Sequence, residues 1–193
     1  MGDTDILCKL ARCNLLDHLL KYFGVPPNKI WILPALTYMT EKKLLVSDAP
    51  ALTVLKQFAS SVDVAVIPNA DPINLERFSK LDPGEQQMFA LLCEQENISS
   101  LVTGDKRALK EVAKIARTDD ALMTRLTGSV VCLESLMLGF IERFGFEEIN
   151  RDIPSGVDTV LSAVFGLSRN EEHARAALNS YLAALQRDAS FVQ

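Results

Sequence analysis

The sequence lacks the motifs of several common chemistries. Only nine of its 193 residues are glycine, and none stands in a phosphate-loop G-x-x-x-x-G-K pattern. No G-x-S-x-G segment and no paired histidine supports a serine or cysteine nucleophile. The two histidines, His18 and His173, have no cysteine, histidine or acid at metal-ligand spacing. Phosphate loops, hydrolase nucleophile elbows and zinc sites are therefore not expected.

Signals for export, disulfide formation and membrane insertion are also missing. The four cysteines form no C-x-x-C pair and lie in apolar helical or strand patterns, which indicates buried, reduced thiols and a cytoplasmic protein. They are Cys8, Cys13, Cys93 and Cys132. No signal-peptide pattern opens the sequence, and no run reaches the roughly 18 to 20 apolar residues that span a bilayer. No membrane association is expected.

Excess positive charge is lacking as well. The formal net charge of -5 argues against a general electrostatic grip on nucleic acid, because lysine and arginine supply most non-specific affinity for phosphates. Any such binding must be local, although a cluster of cations is also typical of a solvated helix face. The candidate cations are Lys9, Arg12, Lys42, Lys43, Lys106, Arg107 and Lys110.

What the sequence does contain is ample material for a core and an alternation of helices and strands. With 48% hydrophobic residues it suits one domain, or one domain with an appendage. Hydrophobic periodicity and turn signals predict strands over 29–33, 63–67, 98–102 and 129–133. They predict helices over 5–22, 51–60, 83–97, 119–127, 134–146, 156–165 and 170–187, with others starting at Pro34, near Pro72 and after Asp105.

The segment Leu81 to Val112 is predicted to be helix, strand and helix, with one carboxylate at each helix start. Glu85 follows the Asp82-Pro83 helix start, and Asp105 opens the second helix. In a parallel sheet such helix starts lie beyond the carboxyl ends of strands, where open α/β sheets bind ligands. The alternative interpretation is structural: Asp82-x-x-Glu85 is a capping-box spacing, and Asp105 suits a simple N-cap.

Four segments together resemble PIN-domain nucleases, in particular the subgroup whose third acid is a Gly-Glu at a helix start. They are GDTDILCKLARCNLLDHLL at the N-terminus, IWILP at residues 30–34, Pro83-Gly84-Glu85, and Thr103-Gly104-Asp105-Lys106. The resemblance covers roughly residues 1–135. It implies a three-layer α/β fold with a central parallel sheet, and residues 136–193 would form a helical extension packed on that domain.

The resemblance also implies a site. Asp3, Glu85 and Asp105 would be the catalytic acids and, with Glu41, the ligands of Mg²⁺ or Mn²⁺. Clustered carboxylates suit such hard cations and repel one another without them. Glu41 stands one position from the place that the resemblance gives to a fourth acid, where this sequence has Thr40.

Alternatives remain at the edges of this site. Asp5 could replace Asp3 if the first strand were longer, although it suits the start of the first helix. Asp119 and Asp120 could make outer metal contacts, or could belong to a solvent-exposed turn.

The function that the resemblance implies is metal-dependent hydrolysis of RNA phosphodiesters. Such domains commonly act as toxins held by a partner antitoxin, and they often dimerise. The alternative is a non-catalytic binding or scaffold protein that has kept the fold.

The last helix is expected to start with the capping box Ser168-x-x-Glu171. Its apolar stripe would pack within the chain or form a subunit interface, and contains Ala174, Leu178, Tyr181, Leu182 and Leu185.

Overall fold

The computed structural model describes residues 1–33, 36, 48–62 and 69–193, and these combine many helices with a small parallel sheet. The strands are β1 (Leu101–Thr103) and β2 (Val130–Cys132). The helices up to β2 are α1 (Thr4–Arg12), α2 (Leu16–Phe23), α3 (Ala49–Ser61), α4 (Pro72–Arg77), α5 (Pro83–Glu94), α6 (Lys106–Ala116) and α7 (Asp120–Leu126). The helices after it are α8 (Leu133–Phe144), α9 (Phe146–Arg151), α10 (Thr159–Val164) and α11 (Glu171–Asp188).

The two strands pair in parallel, and single bridges add further segments beside them. Leu101 lies opposite Val130, and Thr103 lies opposite Cys132. Gly2 forms parallel bridges to both Val102 and Ile32. On the other side, Val130 forms a parallel bridge to Val192, next to the carboxyl end of the chain. Chain segments that are far apart in sequence therefore run side by side in one direction.

Alternate residues of the strands enter different hydrophobic clusters, as expected where successive side chains point to opposite faces. Val102 and Val131 belong to one cluster, whereas Leu101, Val130 and Cys132 belong to the other. The first cluster also contains Ile6, Leu10, Leu55, Phe140, Leu161 and Leu178. The second also contains Phe89, Leu92, Leu109, Leu126, Leu185 and Phe191. Helices thus cover both faces of the small sheet.

The C-terminal helices share their core with the first helices. Helix α11 packs against α8, and α8 packs against α2. At the second contact Gly139 lets the Tyr22 ring approach closely, because a Cβ there would clash with that ring unless it moved. The residues after 135 therefore bury apolar side chains in the same two clusters as the residues before it.

Several predicted boundaries are wrong. The predicted helix 5–22 is two helices, because Asn14 adopts a left-handed conformation with φ 54° that ends the first. The predicted strand 29–33 begins with the end of a 3₁₀ turn, Pro27–Lys29, and its bridge residues are Trp31 and Ile32, of which Ile32 pairs with Gly2. The last helix is capped by Asn170, whose side chain accepts from the His173 amide at 2.8 Å, and not by the predicted Ser168 box.

Other predictions fall partly or wholly outside the described residues. They are the strand at 63–67, most of the helix after Pro34, and the side chains of Glu41, Lys42 and Lys43. In the described part, which includes all four cysteines, no disulfide is formed. Cys8, Cys13 and Cys132 are buried, and Cys93 is half-buried. No helix within the described ranges is both long and apolar enough to cross a membrane.

Candidate functional site

Asp3 lies where two parallel segments end side by side. Its amide donates to the Val102 carbonyl at 2.9 Å, directly after the bridge at Gly2. Its carboxylate caps α1 by accepting from the Asp5 amide at 3.5 Å, and the Thr103 hydroxyl donates to it at 3.2 Å. Asp3 is only 8% exposed. The buried carboxylate of Asp3 is therefore held in place beside the end of β1.

Asp105 follows β1 and caps α6. Its Oδ1 accepts from the amides of Arg107 at 2.8 Å and Ala108 at 2.9 Å. Its own amide donates to the hydroxyl oxygen of Thr103 at 3.2 Å. Thr103 thus joins Asp105 to Asp3 through a single side chain.

Glu85 lies at the start of α5, which packs against β1. The predicted capping box is present: the Glu85 amide donates to Asp82 Oδ1 at 2.9 Å, and the Asp82 amide donates to Glu85 Oε2 at 3.3 Å. Gly84 allows close approach, since a Cβ there would lie 2.9 Å from Leu33. Glu85 is 5% exposed and also shares a side-chain hydrogen bond with Asp105.

The pKa values of these three acids are shifted in different directions. Burial, the shared hydrogen bond and the charge of Asp105 raise the pKa of Glu85 to about 8. Burial alone would raise the pKa of Asp105, but hydrogen bonds from the Ala108 amide, Glu85 and the Arg107 amide lower it. Burial and the charges of nearby acids raise the pKa of Asp3. At neutral pH the pair therefore consists of a protonated Glu85 and a negatively charged Asp105.

A cleft of about 320 Å³ opens beside Asp105 and contains further charged groups. Lys9 lies between two acids, with Nζ 2.8 Å from Asp5 and 2.9 Å from Asp158. Lys106 Nζ lies 2.5 Å from Glu134 Oε1. The cleft is thus lined by both signs of charge, and acids predominate around it.

Sequence reasoning missed two of these acids, Glu134 and Asp158. Glu134 is 1% exposed and stands two residues after β2, just as Asp105 stands two residues after β1. That repeated position after a parallel strand was a usable signal. Asp158 caps α10, and nothing in its local sequence indicates that it reaches Lys9 on α1.

The other predicted acids and cations whose positions the structure describes lie outside the group formed by Asp3, Glu85 and Asp105. Asp5 lies in the first turn of α1 and faces the cleft, so it does not replace Asp3 as the buried acid. Asp119 caps α7, and its carboxylate pairs with Arg77 and not with the acids of the site. Among the predicted cations, Arg12 Nε lies 3.5 Å from an Asp48 oxygen.

The acids offer hard oxygen donors, the type that Mg²⁺ and Mn²⁺ prefer. Within the described residues no group of three histidine, cysteine or acidic side chains is arranged as a ready metal-binding set. Glu85 and Asp105 bond to each other, and Asp3 bonds to Thr103. The negative charges of Asp105 and Asp82 beside Glu85 also contribute to its raised pKa, and a divalent cation between such oxygens would offset their repulsion.

Comparison with known proteins adds no family to this geometry. No family model matches the chain, and neither curated proteins nor solved structures yield a match.

Proposed function

We propose that this chain is a metal-dependent endoribonuclease built on a three-layer PIN-like fold. The observation that carries the proposal is the grouping of three acids at one edge of the sheet: Thr103 bonds to both Asp3 and Asp105, and Glu85 shares a hydrogen bond with Asp105. The parallel bridges on both sides of β1 and β2, with apolar clusters on both faces, support the fold.

Asp3, Glu85 and Asp105 would hold the cation, and Glu41 stays the predicted fourth ligand. When bound, Mg²⁺ or Mn²⁺ would supply positive charge that stabilises the attacking and leaving oxygens of a phosphodiester. The proposal also includes a protein partner such as an antitoxin, and a homodimer, both of which the family resemblance implies. It includes a cytoplasmic location, which the reduced cysteine thiols support.

The chain's own groups perform defined tasks in this site. The carboxyl group of Glu85 holds a proton at neutral pH and through it donates a hydrogen bond to the carboxylate of Asp105. The hydroxyl group of Thr103 donates to Asp3 and accepts from the Asp105 amide, so it fixes both acids relative to β1. Because cation binding requires ionised carboxylates, affinity for Mg²⁺ should increase as the pH rises toward the pKa of Glu85.

The test combines cleavage with binding. Purified protein should cleave a mixed-sequence RNA with Mg²⁺ or Mn²⁺ and not with EDTA, and Asp105→Asn should reduce cleavage at least about a hundredfold. Asp119→Asn is the matched control, because Asp119 is also an N-cap aspartate but lies outside the cluster. Equal loss in both variants would contradict a special role for Asp105.

A non-catalytic scaffold is the second candidate, and one observation favours it: Glu85 and Asp105 both complete helix caps, so structure alone accounts for their presence. Thermal unfolding separates the two candidates. A catalytic cluster predicts that Mg²⁺ or Mn²⁺ raises the melting temperature of the wild type and not of Asp105→Asn. A scaffold predicts no metal-dependent change in either protein.

A further inference from the structure

Helix α6 carries a row of cations on an otherwise acidic protein. Residues four apart on a helix share one face, so Lys106, Lys110 and Lys114 form a stripe that Arg117 extends beyond the helix end. Over about 11 residues at roughly 1.5 Å per residue, the stripe is about 16 Å long. The net charge of the whole chain is -5. Each lysine of the row pairs with an acid, yet with Arg107 and Arg117 the cations on and beside α6 outnumber those acids.

The stripe lines a groove of about 470 Å³, to which α11 contributes Asp188. Helix α11 packs against α6, so the groove has two helical walls. Lys106 lines both this groove and the cleft beside Asp105, so the groove and the cleft adjoin at that residue. The lining residues are Lys106, Arg107, Lys110, Glu111, Lys114, Arg117 and Asp188.

An aromatic ring stands at the carboxylate end of the groove. Tyr181 on α11 is partly exposed, and its ring centroid lies 5.4 Å from Lys106 Nζ. Cations that follow a phosphate backbone, combined with an exposed ring on which a base can stack, are typical of surfaces that bind single-stranded nucleic acid.

The groove already contains two anions from the chain itself, Glu111 and Asp188. Glu111 pairs with Lys114 of its own helix at 2.5 Å, whereas Asp188 comes from α11. The carboxylate of Asp188 lies 2.8 Å from Lys110 Nζ, and the Asp188 carbonyl accepts from Arg117 at 3.3 Å. The hydrogen bond from Lys110, with Arg117 and Arg187 nearby, lowers the pKa of Asp188. Both Lys110 and Asp188 are half-exposed, so an external anion can reach the pair.

We propose that the groove between α6 and α11 binds the backbone of single-stranded RNA, and that Asp188 occupies a phosphate position until RNA displaces it. The inference rests on the proposed function, since it leads the RNA toward the same carboxylates. It also assigns a role to Asp188 as an internal competitor of RNA. By neutralising Lys110, Asp188 lowers the affinity of the groove for RNA of any sequence.

The experiment measures binding of the full chain to a labelled oligouridylate of about twelve nucleotides by fluorescence anisotropy, in EDTA. Asp188→Asn should tighten binding about three- to tenfold at low salt, because Lys110 becomes available to a phosphate. The double variant Lys110→Gln with Lys114→Gln should weaken binding about tenfold or more. It should also reduce the slope of log affinity against log salt by about 0.7 for each lost phosphate contact.

Glu171→Gln is the matched control for Asp188→Asn. Glu171 also pairs with a cation, Arg175 at 2.7 Å, but at the other end of α11, about 25 Å along the helix. It makes the same change in net charge without freeing a cation of the groove, so its affinity should stay within about twofold of wild type. Tyr181→Leu keeps an apolar side chain and should weaken binding of the oligouridylate but not of inorganic polyphosphate.

Four outcomes would overturn the inference. In the first, Asp188→Asn lowers the melting temperature without tightening binding, which would leave Asp188 as a partner for cations at a helix C-terminus. In the second, Glu171→Gln tightens binding equally. In the third, poly-glutamate of equal charge binds as tightly as RNA, and in the fourth a duplex binds more tightly than the single strand. Because EDTA prevents cleavage, these results are independent of whether Asp105→Asn abolishes hydrolysis.

Discussion

The starts of α5 and α6 show how one local role can have two electrostatic outcomes. Both helices begin with an aspartate whose side chain accepts backbone amides, Asp82 in one and Asp105 in the other. The first turn of α5 adds Glu85, which is buried, whereas the site acid of α6 is its half-buried cap, Asp105. The proton therefore resides on Glu85, and the negative charge resides on Asp105.

This difference teaches that helix capping and membership of a carboxylate cluster are compatible. Glu85 and Asp105 each take part in a helix cap, and they also share a hydrogen bond with each other. What separates these two roles is the response to pH and to charge.

The largest effect on stability is expected for Glu85→Gln. The pKa of Glu85 is raised from 4.5 to about 8 on folding, so its ionisation opposes folding. The cost is absent below the unfolded pKa, grows as the pH rises, and is complete above the folded pKa. Glutamine keeps the capping box and removes the charge. At about pH 8.5 the variant should be more stable by about 2 kcal/mol or more, or roughly 4 °C in melting temperature.

The comparison at low pH controls this prediction. At about pH 4 the wild-type Glu85 is protonated when folded and mostly protonated when unfolded, so Glu85→Gln should have nearly the wild-type melting temperature. Glu96→Gln, in the exposed turn after α5, should change stability by no more than about 0.5 kcal/mol at either pH. A gain for Glu85→Gln that did not depend on pH would show that burial of the charge is not its cause.

A smaller effect is expected at Asp105, where alanine and asparagine should differ. Asp105→Ala removes the cap of α6 and should cost about 0.5 to 2 kcal/mol, whereas asparagine retains most of the capping. Both variants remove the negative charge beside Glu85, so the pKa of Glu85 should fall toward its ordinary value. Titration of the Glu85 carboxyl carbon by NMR measures this directly. An unchanged titration in both variants would mean that the two carboxyl groups are not coupled.

Much of the Leu81 to Val112 segment was predictable because its signals are local. Asp82-Pro83, the Glu85 spacing and Asp105 each act within three residues, and the resulting caps are present. The strand between them was predicted too early and is only three residues long, because the apolar residue Ile98 belongs to a turn after α5. Local sequence signals therefore predicted the helix starts more accurately than the bounds of the strand.

The parts that sequence reasoning missed depend on contacts between distant residues. Asp158 reaches Lys9 across most of the chain, and Val192 bridges Val130 after the last helix. Neither contact has a signal within its own segment. The turn at Asn14 is different: it is local, but its unbroken apolar pattern on both sides favoured one long helix.

The smallest effect is expected for Asp5→Asn, which tests the alternative assignment of the first acid. The side chain of Asp5 is 50% exposed and pairs with Lys9, which keeps Asp158 as a second partner. An exposed pair contributes little, so the variant should change stability by less than about 0.5 kcal/mol and should keep any melting-temperature increase that Mn²⁺ gives the wild type. Asp3→Asn is the control, because the buried Asp3 is the acid joined to Asp105 through Thr103. If Mn²⁺ stabilises Asp3→Asn and not Asp5→Asn, the cation is held on the cleft side of α1, and the buried cluster of Asp3, Glu85 and Asp105 is not its site.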